Sequence, residues 1–187
     1  MDLKILNTIE EQIAVQFTGK VNVLSNFNHQ YLGHILFKDG EIFQVEFQQM
    51  TGLKAFYQLI IQEFSLNSFS FIVEPEIVEE NLRKIHYPYA VLKNKISEVL
   101  KQYRSSIKYR PPENIRILIN SDFIKANDPV TPEEFKVLEV ISEFNRSFDI
   151  YHHCQLLDHE ITLALVSLRK KGALKIIGNR EVNDDSV

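Results

Sequence analysis

The sequence predicts an α+β protein: a small antiparallel sheet with helices, followed by three helices and a β-ribbon. Three observations carry that expectation. Residues 16–47 alternate apolar and polar side chains and are rich in β-branched and aromatic types, the pattern of half-buried strands. Asp39-Gly40 interrupts them, and glycine takes the positive φ that a two-residue hairpin turn needs. Thr131-Pro132-Glu133-Glu134 places a hydroxyl at a helix N-cap, proline at the first helical position and a carboxylate at the third, which reads as a capping box.

Taken in order, Leu6 to Ile13 is expected as a short helix. Gln16 to Leu24 reads as a strand and Ser25 to Gln30 as a polar loop. Gly33 to Phe37 and Ile42 to Phe47 are the arms of the hairpin. From Gly52 onward, Leu53, Phe56, Leu59 and Ile60 recur at helical spacing. Ser68 to Val73 is a further strand, closed by Pro75, which cannot donate to a ladder. These elements make a small antiparallel sheet with helices on one side. Ile77 to Asn81 reads as either a helix start or a loop. Tyr89 to Tyr103 is a clearer helix: Ala90, Leu92, Ile96, Val99, Leu100 and Tyr103 form its stripe, with Lys93, Lys95, Glu98 and Lys101 outside it. Pro111-Pro112 ends that part, and Ile115 to Ile119 is a short strand or buried segment. Asn127 to Val130 reads as the joint between two domains, 1–126 and 127–187.

In the second domain, Phe135, Leu138, Val140, Ile141 and Phe144 are expected as the apolar face of the first helix. Ile150 to Leu157 is a short second helix. Asp158 is expected to cap a third, His159 to Lys171, which Gly172 ends as its C′ glycine. Ala173 to Ile177 is a strand, turned at Gly178-Asn179. Three helices with a β-ribbon are a winged-helix pattern.

With 187 residues, 44% hydrophobic and 25% charged, the chain can bury a core without staples. A single cysteine, Cys154, excludes an intramolecular disulfide. No apolar run reaches the roughly 18 residues that span a bilayer, and Met1-Asp2-Leu3-Lys4 does not open a signal peptide. A cytoplasmic location without membrane insertion is therefore expected. The net charge of −4 argues against bulk attraction to DNA or anionic lipid. The charge is uneven, however. Residues 1–74 hold 4 basic and 8 acidic side chains, 75–130 hold 10 and 7, and 131–187 hold 7 and 10. Any basic surface is therefore expected mainly from the middle of the chain.

Thr18-Gly19-Lys20-Val21-Asn22-Val23, Gly33 to Ile42 and Gly52-Leu53-Lys54-Ala55-Phe56 follow one another at a telling spacing. Phe69-Ser70-Phe71 and the helix around Leu92 to Tyr103 come after them. With these residues, the stretch from Phe17 to about Arg104 resembles the PATAN domain family, named for the N-terminal region of a cyanobacterial response regulator. The resemblance covers roughly half the chain. It implies a protein–protein interaction module of bacterial signalling proteins, linked in some members to motility and surface behaviour. It implies no catalytic residues.

Nine of the 13 phenylalanines lie between Phe17 and Phe71, and most are expected in the core. Phe27, Phe47 and Phe64 stand where the pattern allows exposure, and exposed aromatics suit interface anchors. Tyr103, Arg104, Tyr109 and Arg110, with Lys101 and Lys108, interleave bases with aromatics. Such a stretch can grip phosphates and stack bases, or meet an acidic protein surface. Arg169, Lys170, Lys171, Lys175 and Arg180 are the candidate wing contacts to nucleic acid.

His152-His153-Cys154, with Asp158 and His159, is the one cluster of metal-ligand types. Neighbours on a helix diverge by about 100°, so 152, 153 and 154 cannot converge on one ion. Capping accounts for Glu134 in the Glu133-Glu134 pair, and Cys154 lacks a positioned base. The glycines form no phosphate-cradling motif. No catalytic, cofactor or metal site is expected.

The reading is a non-enzymatic bacterial signalling or adaptor protein with protein partners, a homo-oligomer being one form this could take. The alternative is a winged-helix transcription regulator. Against DNA stands the start of the third helix, Asp158-His159-Glu160, whose carboxylates would face phosphates. Residues 131–180 hold 7 basic and 7 acidic side chains, so no net field compensates.

Overall fold

A computed structural model describes residues 3–66, 69–126 and 128–177. It divides into two compact units, residues 1–103 and 104–187.

The first unit opens with α1 (Lys4–Ala14), then β1 (Gly19–Ser25), β2 (Tyr31–Lys38), β3 (Glu41–Phe47) and the two-residue β4 (Met50–Thr51). There follow α2 (Gly52–Leu66), β5 (Phe69–Pro75), a 3₁₀ turn at Glu80–Leu82 and α3 (Tyr89–Ser106). The sheet has the order β4-β3-β2-β1-β5 and is antiparallel throughout. Side chains alternate across it, so Val21, Val23, Ile35, Phe37, Val45 and Phe47 share one face, and all are fully buried. Helix α2 packs against β3 and adds Phe56, Leu59 and Ile60 to the core, and α1 adds Ile5 and Ile9. The other face carries a small separate cluster of Leu36, Phe43 and Val78.

The hairpin forms where the Asp-Gly pair placed it. Asp39 and Gly40 have φ of 50° and 76°, so both central residues are left-handed, as a primed turn requires. The turn is also tied down, since the Gly40 amide donates to Phe17 O at 3.0 Å and the Asp39 amide to Thr18 Oγ1 at 2.9 Å. One arm contains a bulge. Leu36 faces Gln44 and Phe37 faces Ile42, leaving Phe43 outside the ladder. The Phe43 carbonyl is thereby released to accept the amides of Lys84 and Ile85 at 2.9 and 3.0 Å. This anchors the segment after β5 to the sheet.

Helix α1 has no side-chain cap of its own at Leu3. Glu63 of α2 supplies one: both its carboxylate oxygens accept the Ile5 amide at 3.2 Å. Glu63, 2% exposed, places its carboxylate at the positive end of the α1 dipole. Burial nevertheless raises its pKa above the ordinary value, against the amides of Ile5 and Lys4 and the charge of Lys4, which lower it.

The second unit contains β6 (Arg116–Ile119), α4 (Ser121–Ala126), α5 (Pro132–Glu143), α6 (Ser147–His153), α7 (Asp158–Lys170) and β7 (Leu174–Ile177). Here the expected joint at 127–130 is corrected, because the division falls at Tyr103/Arg104. The reason is β6. It pairs antiparallel with β7, from Arg116↔Ile177 to Ile119↔Leu174. On its other side, Ile117 N donates to Asn145 O at 2.7 Å and Ser147 N to Ile115 O at 2.9 Å. Ile117 and Phe123 consequently join one core with Val137, Ile141, Ile150, Ile161 and Leu168.

Thr131 and Glu134 form the capping box of α5. Within α5, however, Phe135 is exposed and Val137 takes the core position expected of it. α6 starts and ends earlier than the spacing predicts. Asp158 does not cap α7 either. Leu157 is the N-cap residue, and Glu160 accepts its amide at 2.9 Å. At the other end Gly172, at φ 73°, closes a Schellman motif: its amide reaches Arg169 O at 3.0 Å and that of Ala173 reaches Leu168 O at 2.9 Å. The Gly178-Asn179 turn lies outside the described residues.

Two outcomes are expected from this unit-by-unit packing. Gly40→Val should lower the thermal midpoint and cost about 2 kcal/mol, from left-handed strain and crowding. A Cβ there would meet Ile13 O at 3.0 Å and Gln16 Cα at 3.1 Å. An unchanged midpoint by circular dichroism would contradict the turn. For Glu63, the native state holds the proton more tightly than the unfolded chain, whose glutamates titrate near about 4.3. Its contribution is therefore full below that value and is lost as pH rises through the raised native pKa. Glu63→Gln should flatten that decline in denaturant midpoints, and Glu63→Leu, which orphans the α1 amides, should cost about 1–2 kcal/mol.

Candidate functional site

The sequence singled out the bases and aromatics before Pro111 and, separately, the bases ending the last helix. In the second unit the structure brings part of each set to one groove. A cavity of about 610 Å³ is lined by Lys108, Tyr109, Pro111, Ile115, Val166, Arg169 and Lys170 among others. A smaller one shares Tyr109, Pro111, Val166 and Arg169 and extends to Leu174 and Ile176. The floor is aliphatic and the rim cationic. No carboxylate is among the lining residues of either.

Local sequence explains both walls. On α7, Val166, Arg169 and Lys170 stand at i, i+3 and i+4, hence on one face, while Ile161, Ala164, Leu165 and Leu168 face the core. The opposite wall is the segment Ile107 to Ile115, a 3₁₀ turn running into two prolines. Its position is set by Arg110. The guanidinium donates to Asp158 Oδ2 at 2.7 Å and lies 4.1 Å from the centroid of the Tyr151 ring. The Asp158 side chain is 5% exposed, so the pair is partly desolvated and strongly directional.

The individual sequence expectations fare differently. Phe27 is 95% exposed at the tip of the β1–β2 loop, as an interface anchor would be. Tyr109 is also exposed, and the Lys108 ammonium lies 4.9 Å from its ring centroid. Arg104 is exposed on the last turn of α3. Phe64 is half-buried. Two others are corrected. Phe47 is fully buried, because its strand position points to the helices, where it meets Phe69 edge-on at 5.7 Å. Tyr103 is 5% exposed, since it continues the apolar stripe of α3 and packs edge-on against Phe64 at 6.4 Å. Arg110, whose side chain is 31% exposed, lines the groove and is at the same time paired with Asp158.

Among the wing candidates, Arg169, Lys170 and Lys175 are exposed. Lys171 is exposed as well, but its ammonium reaches Glu134 Oε2 at 2.7 Å and Pro129 O at 3.0 Å, tying the end of α7 to the start of α5. Burial opposes ionisation of Glu134, but the hydrogen bonds from Lys171, Ser167 and Thr131 outweigh it and hold its carboxyl below the ordinary range. Arg180 lies outside the described residues.

A helix that reads bases presents its N-terminal residues to the groove edges. In α7 those positions are taken up elsewhere. Asp158, His159, Ile161 and Thr162 are buried, and Glu160 bonds back to Leu157.

The His152–Cys154 cluster disperses as its helical spacing requires. His153 stacks on Phe144 at 4.0 Å, His152 on Phe148 at 6.1 Å, and Cys154 is buried. Among the described residues no three His, Cys, Asp or Glu side chains are placed to hold a metal. No helix of the described residues is long and apolar enough to cross a membrane.

Sequence reading missed the aliphatic floor, namely Ile115, Val166 and Ile176. The i, i+3, i+4 placement of Val166 beside two cations was a readable signal. Ile115 and Ile176 come from segments that only the β6–β7 pairing brings near α7.

Comparison with known proteins finds no matching family model, no matching curated protein and no matching solved structure.

If Arg110 holds the groove wall, Arg110→Ala should destabilise the second unit by about 2–3 kcal/mol, because a buried carboxylate is left unpaired. Arg110→Lys should recover only part of this, since an ammonium cannot both stack on Tyr151 and match the carboxylate. Urea unfolding monitored by tyrosine fluorescence measures both. A free surface arginine would leave the midpoint unmoved.

Proposed function

We propose that the chain is a non-enzymatic adaptor of bacterial signalling that docks a protein partner on the groove of its second unit. The groove carries this reading. It joins an aliphatic floor to a cationic rim, the arrangement in which apolar anchors supply affinity and rim charges supply specificity. The PATAN resemblance of residues 17–104 supports a signalling setting in the cytoplasm, with motility or surface behaviour as the process served. It also supports an interaction role for the first unit, where Phe27 is the exposed aromatic. A second copy of the chain is one partner this reading allows.

A winged-helix transcription regulator is the second reading, favoured by the exposure of Arg169, Lys170 and Lys175. The commitment of the first turn of α7 to internal contacts weighs against it.

The experiment is affinity purification of the full chain from native lysate, quantified by mass spectrometry, beside a Tyr109→Asp/Arg169→Glu/Lys170→Glu variant. One protein recovered by the parent and depleted with the variant is expected. Sequence-selective duplex binding at physiological salt that falls on replacement of Lys175 would instead favour the regulator. A reproducible turnover abolished by one pocket substitution would end the adaptor reading.

A further inference from the structure

The groove also defines the chemistry of what it takes. We infer that it binds a short acidic segment carrying aliphatic or aromatic anchors, an inference that rests on the adaptor reading above. Lys108, Arg169 and Lys170 line the cavity, and none has an ion-pair partner among the described residues. The contrast with Arg110 and Lys171 is informative, because both of those cations are already matched by buried carboxylates. Among the described residues the rim thus presents unmatched positive charge on both walls, and no lining carboxylate offsets it. An occupant bearing carboxylates completes it.

The floor excludes a purely electrostatic ligand. Pro111, Ile115, Val166 and Ile176 offer aliphatic surface, and Ile176 remains 40% exposed. Phosphates and riboses gain nothing from such a surface, and Tyr109 is the one aromatic among the lining residues on which a base could stack. Leucine or phenylalanine side chains gain by covering it. The exposed Tyr109 ring beside Lys108 then closes over an apolar side chain while keeping its hydroxyl wet. A peptide therefore satisfies both layers of the groove, and a nucleic acid satisfies one.

The test starts from a displayed library of random peptides selected on the full chain. Enriched sequences should combine Asp or Glu with Leu or Phe. The best of them, fluorescein-labelled, is then titrated by anisotropy against the parent and two variants. Arg169→Glu/Lys170→Glu should weaken it by roughly tenfold or more, since rim charges are reversed. Ile176→Ser should weaken it by about threefold or more with little change in salt dependence, because it removes apolar cover only. Both replaced sites are solvent-exposed, and circular dichroism melts confirm that each variant is folded. Enrichment of basic or uncharged peptides, or no enrichment, would overturn the inference. So would affinity indifferent to both variants. If that peptide affinity were instead lost with Phe27→Ser, the adaptor reading would stand and the groove would not. Tight, sequence-selective duplex DNA binding lost with Arg169→Glu/Lys170→Glu would overturn both.

Discussion

A carboxylate removed from water needs a cation, and in the second unit Asp158 finds its cation at Arg110. Much of the unit follows from that pair. Asp158 begins α7, while Arg110 belongs to the segment that links α3 to β6, so the bond pins a proline-bearing stretch along a helix far from it in sequence. The stretch cannot fold away, and its next residues enter the sheet as β6. The face of α7 that carries Val166, Arg169 and Lys170 is left opposite Tyr109 and Pro111. A groove results because two walls are held apart by an ion pair at one end and by strand pairing at the other. Asp158 stands at the first helical position after the N-cap residue Leu157, and its carboxylate reaches across the unit to Arg110.

The first unit shows the same economy of polar groups at buried positions. α1 lacks a residue able to cap itself, and α2 provides the acceptor through Glu63. Phe43 leaves the ladder at a bulge, and its carbonyl takes two amides from the chain beyond β5. In each case a backbone group that would be orphaned at an element's edge is satisfied by a distant one. Such contacts tie segments together more specifically than apolar burial, which has no direction. They also make the unit sensitive to pH through Glu63, whose burial opposes its charge.

The acid–base behaviour of the two units runs in opposite senses. Glu63 is disfavoured as an anion, so its folded state gains from protonation. Glu134 is favoured as an anion by Lys171 and by the capping amide, so its contribution is present above the unfolded carboxylate range and is lost as pH falls through its lowered native value. The two glutamates differ because Glu63 is hydrogen-bonded only by backbone amides, with the Lys4 charge a smaller influence, whereas Glu134 accepts a hydrogen bond from the Lys171 ammonium itself.

Much of the fold is legible in the sequence. The Asp39-Gly40 hairpin, the α3 stripe, the Thr131–Glu134 capping box and the glycine end of α7 all rest on local rules, in which a few neighbouring residues decide the backbone. The α+β class followed from their order. What local rules could not give was which charges would be consumed internally. Arg110 and Lys171 read as surface bases until the fold set a buried carboxylate beside each. Tyr103 and Phe47 read as anchors until their faces turned inward. The domain boundary failed for the same reason, since β6 looks like the end of one part and is held by strand partners at Asn145–Ser147 and Leu174–Ile177. Pairings across tens of residues are settled by the tertiary structure alone, because a strand's free hydrogen-bonding edge and a carboxylate's charge each specify a kind of partner and never its position in the chain.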